Sequence, residues 1–149
     1  MKHALILLAG FALFAGAAHA HVGLEYEVAN ASSSYKATFK VGHGCDKSPT
    51  RQLSVQVPPT MGNARPMPKP GWTLEVQRQG EAASRITWTA RTREDALPDN
   101  QYDEFVLVAQ APAQPGTVTW QVVQVCEQGR AEWAPKLEIL PSAGGGHKH

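Results

Sequence analysis

Tyr35-Lys36-Ala37-Thr38-Phe39-Lys40-Val41 carries an apolar side chain at every odd position and, apart from the small Ala37, bulky ones. Successive side chains on a strand point to opposite faces, so a period of two predicts a strand with one buried face. Val22-Gly23-Leu24-Glu25-Tyr26-Glu27-Val28 repeats the pattern on its even positions. It recurs at Leu53, Val55 and Val57, at Trp72, Leu74 and Val76, and at Ile86 and Trp88. Phe105, Leu107 and Ala109, then Val118, Trp120 and Val122, continue it, and Leu137 and Ile139 close the series. These runs are filled with the β-branched and aromatic residues that strands favour.

The gaps carry turn chemistry: Asn30 to Ser34, Gly42 to Pro49, Pro58 to Gly71, Pro98-Asp99-Asn100, Pro112 to Gly116, and Gln128-Gly129. No stretch keeps a helical period. About eight short strands separated by such turns predict an all-β, immunoglobulin-like β-sandwich. Pro66-Met67-Pro68-Lys69-Pro70-Gly71 reads as a stiff connector crossing between sheets.

The ends of the chain read differently. Lys2 is followed by an apolar run, Ala4 to Ala18, and then by Ala18-His19-Ala20, a small-x-small cleavage site. Residues 1–20 are therefore expected to be a secretory signal peptide, leaving residues 21–140 as one β-sandwich domain and 141–149 as a flexible Gly/His tail. The expected location is the periplasm or the exterior. In such compartments Cys45 and Cys126 are expected to pair. The segment after the cleavage site has nearly balanced formal charge and neither a basic stripe for nucleic acid nor a long acidic run.

Hydrolase, P-loop, metalloprotease and dinucleotide motifs are absent from the sequence. Cleavage after Ala20 would make His21 the first residue, offering its α-amine and ring Nδ1 to one metal ion. Too few Cys and His residues are suitably spaced for a structural zinc site, which needs about four ligands. An amine, an imidazole and a carboxylate instead suit copper(II). Glu25 and Glu27 share the His21 face by parity. Residues two and four apart on a strand are separated by about 6.6 and 13 Å, which makes Glu25 a poor partner for His21. A carboxylate from another strand fits better, and Glu104, out of phase with Phe105, Leu107 and Ala109, is a candidate; its alternative is a solvated surface acid. Trp133, between Gly129 and Pro135 near a strand start, reads equally as core. His43, in Gly42-His43-Gly44-Cys45, is either a structural hydrogen-bonder or a further ligand. His147 and His149 are a loose metal-catching tail or an inert end.

These residues resemble the YcnI-like family of exported copper-associated domains across nearly the whole segment after the signal. The resemblance rests on His21-Val22, Ser34-Tyr35-Lys36-Ala37, His43-Gly44-Cys45-Asp46 with Ser48-Pro49-Thr50, and Lys69-Pro70-Gly71-Trp72-Thr73-Leu74-Glu75. Ile86-Thr87-Trp88, Leu97-Pro98-Asp99, Tyr102-Asp103-Glu104-Phe105-Val106, and Val122 to Gly129 followed by Trp133 add to it. The resemblance implies a β-sandwich that binds Cu(II) through a single-histidine brace at the processed amino terminus, with a glutamate completing the site and a tryptophan against it. Those roles fall on His21, Glu104 and Trp133. The chain departs from the family pattern at Trp133-Ala134-Pro135-Lys136, where Trp-Ile-Glu is usual, and at Val22-Gly23-Leu24, where Val-Thr-Leu is usual. Many relatives end in a membrane anchor, whereas this chain ends in the Gly/His tail.

The expected function is thus a non-enzymatic copper(II) binder, a chaperone or buffer in periplasmic copper homeostasis, with the copper ion and other copper-handling proteins as partners and no retained membrane anchor. Two alternatives differ in class: an oxidative copper enzyme, if His43 supplied a second imidazole to the same ion, and a metal-free immunoglobulin-like interaction module, if His21, Glu104 and Trp133 were dispersed.

Overall fold

The computed structural model describes residues 21–144. The expected signal segment, residues 1–20, and the tail histidines His147 and His149 lie outside them. Twelve strands run in the order β1 Val22–Leu24, β2 Val28–Asn30, β3 Ser34–Val41, β4 Thr50–Gln56, β5 Gly62–Pro66 and β6 Trp72–Gln79. They continue as β7 Ala82–Ala90, β8 Asp103–Gln110, β9 Gly116–Thr119, β10 Gln121–Cys126, β11 Arg130–Trp133 and β12 Lys136–Leu140. One sheet has the order β1-β3-β8-β5, the facing sheet β11-β10-β4-β7-β6, and a smaller sheet β2-β12-β9 adds a third layer of pairing.

The period-two phase is obeyed where it was strongest. Tyr35, Ala37, Phe39 and Val41 of β3 are buried, as are Phe105, Leu107 and Ala109 of its neighbour β8. Leu53 and Val55 of β4 and Ile86 and Trp88 of β7 meet them from the other sheet within one core. Trp88 and Trp72 pack edge-to-face on Phe105, and Trp120 packs likewise on Phe39, the arrangement that aromatic quadrupoles favour. The disulfide Cys45–Cys126 forms, with a Cα–Cα distance of 5.8 Å, and joins the turn before β4 to the end of β10.

More strands form than the eight expected because several apolar runs break. The run 22–28 is the clearest case. Leu24 is buried, but Tyr26 and Val28 are 65% and 52% exposed. Val22–Leu24 pairs antiparallel with β3, whereas Val28–Asn30 pairs parallel with β12. The chain leaves one sheet for another between these segments, so the alternation that looked continuous serves two different neighbours. Strand β6 also departs from its pattern: Trp72 is buried, but Leu74 is 36% exposed, because β6 is the edge of its sheet. The Pro-rich connector does cross between sheets, running from β5 at one sheet's edge to β6 at the other's.

Candidate metal centre

His21 immediately precedes β1, an edge strand, and Trp133 is the last residue of β11, the edge strand of the facing sheet. Trp133 therefore closes a strand; the expectation from sequence put it near a strand start. Trp133 pairs with Val122 of β10, and Val122 is buried, so the indole shares the inward side of its sheet and packs partly buried against the core. Its ring reaches the mouth of the sandwich and meets the His21 imidazole edge-to-face, with centroids 5.7 Å apart and planes at 71°. The two edges thus lie on the same side of the sandwich, bridged by this ring pair.

The His21 ring also has a defined orientation over β1. A Cβ added at Gly23 would lie 3.4 Å from both Cδ2 and Nε2 of His21. That edge of the imidazole rests over Gly23, and Nδ1 lies on the opposite side of the ring. Gly23 is buried although its strand face is the outer one, because the ring covers it. The departure from the family's usual threonine falls at the residue on which the imidazole lies.

Glu104 is on the outer face, as its phase predicted: it is exposed while Phe105 is buried. It belongs to the same lateral row as Gly23, since Gly23 pairs with Lys40 and Lys40 pairs with Glu104. At roughly 4.8 Å per strand, the backbones of Gly23 and Glu104 are about 10 Å apart, with Lys40 between them. The structure brings His21 and Trp133 into contact. It sets Glu104 on the same face as Gly23, two strands away.

The surroundings of Glu104 include groups that the sequence reading did not single out. The Tyr102 hydroxyl donates to Glu104 Oε1 at 2.7 Å. Its pKa is pushed up to about 12, first by desolvation, then by this hydrogen bond and the charges of Glu104, Glu25 and Asp103. Lys40 Nζ lies 3.3 Å from Glu25 Oε2. Lys69 Nζ bridges Asp103 Oδ2 at 2.6 Å and the Glu104 carbonyl at 3.3 Å, and lies over the Phe105 ring. The backbone of β8 is thereby pinned while the Glu104 carboxylate stays outside on the surface. The Tyr102-x-Glu104 spacing was the available signal, since residues two apart on an extended segment share a face.

His43 is exposed, and its ring Nδ1 donates to the carbonyl of Gly44 at 3.2 Å. Its own carbonyl accepts from Gln124 Nε2 at 2.9 Å. Gln124 is the other residue the sequence reading passed over. It is fully buried, because it is in phase with Val122 and Cys126 on the inward side of β10. A second hydrogen bond from the same nitrogen goes to Thr50 Oγ1 at 2.8 Å, and its Oε1 accepts from the Trp133 indole at 3.2 Å.

Among the described residues, no three His, Cys, Asp or Glu side chains converge as a metal site. A metal held here would therefore draw on a main-chain nitrogen as well. The groups at the sandwich mouth fit copper(II) in kind: imidazole Nδ1 and an α-amine adjoining it are nitrogen donors, and a carboxylate is an oxygen donor, the set that tetragonal Cu(II) accepts.

A family model described as a domain of unknown function (DUF1775) matches residues 21–143. The chain is 26% identical over 122 residues to the copper-binding protein CutI of Bacillus subtilis (strain 168), covering 80% of this chain and 58% of that relative. It therefore spans little more than half the length of that protein. Among solved structures, an uncharacterized protein from Nocardia farcinica with an immunoglobulin-like fold is similar at a TM-score of 0.69 and 25% identity, over 80% of this chain and 97% of the other. A cohesin module from a Clostridium perfringens ATCC13124 family 33 glycoside hydrolase reaches a TM-score of 0.54 at 6% identity, over 83% and 96% of the two chains, a likeness of fold alone. The fold is immunoglobulin-like, and by the match across residues 21–143 the chain belongs to the DUF1775, or YcnI-like, family that its motifs resemble.

Proposed function

We propose that this chain, once cleaved after Ala20, binds copper(II) at the mouth of the sandwich and serves as a non-enzymatic copper chaperone or buffer outside the cytoplasm. The observation that carries the reading is the placement of the His21 ring. Trp133 meets it from the facing sheet, and Gly23 lies under its Cδ2–Nε2 edge. That leaves Nδ1 for an ion shared with the residue's own amine. Copper-binding in the relative named CutI supports the same choice of metal.

In this reading the ion is cargo. The His21 amine and Nδ1 close a chelate ring, and Glu104 supplies an oxygen from two strands away. Trp133 closes one approach to the ion, so that ligands enter from the solvent side. No helix among the described residues is long and apolar enough to cross a membrane. The proposed site lies at the exposed head of the domain, where a partner could take up the ion.

The test is calorimetric titration of Cu(II) into two proteins, one beginning at His21 and one with a single alanine added before it. The first is expected to take up one equivalent and to lose Trp133 fluorescence. The second is expected to bind at least about a hundredfold more weakly, since the extra residue turns the amine into an amide; tenfold corresponds to about 1.4 kcal/mol. Equal affinity of the two proteins would overturn the reading.

A further inference from the structure

The interior of a sandwich is an expensive place for an amide, and Gln124 sits there fully buried. Burying an amide without partners costs a few kcal/mol, so its hydrogen bonds show what it holds together. Gln124 Nε2 donates to the His43 carbonyl and to Thr50 Oγ1, and Gln124 Oε1 accepts the Trp133 indole N–H. Every polar atom of the side chain is thus used.

The two donor bonds lead into the segment that the disulfide anchors. His43 is two residues before Cys45, and Thr50 pairs with Cys126 at the end of β10. Thr50 is itself locked to Leu97 by a reciprocal pair of backbone hydrogen bonds, at 2.9 and 3.0 Å. The acceptor bond leads outward, to the indole that meets the His21 ring. Indole has a single N–H, and a tryptophan held only by apolar packing at the end of an edge strand is free to turn about its side-chain torsions. The hydrogen bond removes that freedom by tying the indole to the most rigid part of the molecule.

We infer that Gln124 is a positioning residue for the copper site: it orients the Trp133 indole against His21 by accepting the indole N–H, with its own amide fixed by the His43 carbonyl and Thr50. This rests on the copper reading, and it adds a residue that has no contact with the ion. Second-layer groups of this kind typically change metal affinity by about 10–100-fold when removed.

The experiment uses the ¹⁵N-labelled chain beginning at His21, with the Trp133 indole resonance identified by its loss in Trp133→Phe. In the wild-type metal-free protein the Trp133 indole proton is expected to exchange with solvent at least tenfold more slowly than free indole. Gln124→Met keeps the side-chain length and removes the acceptor. It is expected to speed that exchange at least tenfold, leave the resonances of the other three indoles in place, and weaken Cu(II) binding about tenfold with altered Cu(II) paramagnetic resonance parameters. Fast exchange in the wild type overturns the proposal with no variant needed, which covers the case in which Gln124→Met fails to fold. A folded Gln124→Met with unchanged Trp133 exchange or unchanged Cu(II) spectra also overturns it. Failure of the wild-type chain to take up Cu(II) would instead strike the copper reading, while the metal-free exchange result would still report on the Gln124–Trp133 bridge.

Discussion

Replacing both cysteines by alanine removes the one covalent crosslink among the described residues, and the structure sets its expected cost. Cys45 and Cys126 are 81 residues apart in sequence, so the unfolded crosslinked chain is confined to a large loop. The chain-entropy relation gives about 15 cal/mol/K for a loop of that length, or about 4.5 kcal/mol at 25 °C. The native state adds no visible reason for a smaller effect. Both cysteines are buried, and the turn that carries Cys45 is independently tied to β10 by Ser48 Oγ, which donates to the Gln128 carbonyl at 2.9 Å. Loss of the bond therefore acts mainly on the unfolded chain. Unfolding entropy of about 2.1 cal/mol/K per residue over residues 21–144 converts this into a Tm fall of about 17 °C. The assay is urea unfolding followed by tryptophan fluorescence, with thermal unfolding as a second measure. The m-value is expected to rise in the variant, because an uncrosslinked unfolded chain exposes more surface. A loss below about 1 kcal/mol with unchanged m would refute the reasoning, since it would mean that the unfolded chain gains no freedom when the bond is removed.

Two further outcomes follow from particular residues. A Cβ at Gly44 would lie 1.7 Å from the Ser48 carbonyl oxygen, so Gly44→Ala must open the turn that holds Ser48 N–H on the Cys45 carbonyl and Gly44 N–H on Asp99 Oδ1; it is expected to cost about 3 kcal/mol or more, against about 0.5 kcal/mol or less for Gly42→Ala, where nothing lies within 4 Å, and urea titration compares them. Burial, and secondarily Glu27, raises the Tyr35 pKa above its ordinary value, and the hydroxyl donates to the Tyr26 carbonyl at 2.5 Å. The fold therefore favours neutral Tyr35, so its contribution is whole below pH of about 10 and falls as the unfolded chain ionises above that pH while the native chain stays protonated. Stability measured from pH 9 to 11.5 is expected to decline less steeply in Tyr35→Phe than in the wild type; parallel curves would count against the assignment.

What could be read from residues alone was everything that depends on near neighbours in the chain. Alternation in β3, β4, β7 and β8 named the buried side chains correctly, because a strand's side-chain direction is set by its own pleat. The two cysteines and the phase of Glu104 were legible for the same kind of reason. Gln124 was legible too, since it follows Val122 in phase, but reading it required accepting a polar residue on an apolar side. The run 22–28 could not be divided from sequence, because its alternation is indifferent to which strand pairs with it.

Tertiary structure alone decided which of these residues meet. His21 and Trp133 are more than a hundred positions apart, and only the stacking of two sheet edges on one side of the sandwich puts their rings in contact. The row Gly23-Lys40-Glu104 likewise exists only through the pairing of β1 with β3 and of β3 with β8. Local sequence sets the direction of a side chain, through the geometry of its own backbone; it does not set which distant strand lies beside it, because that choice is made by burying many apolar surfaces at once.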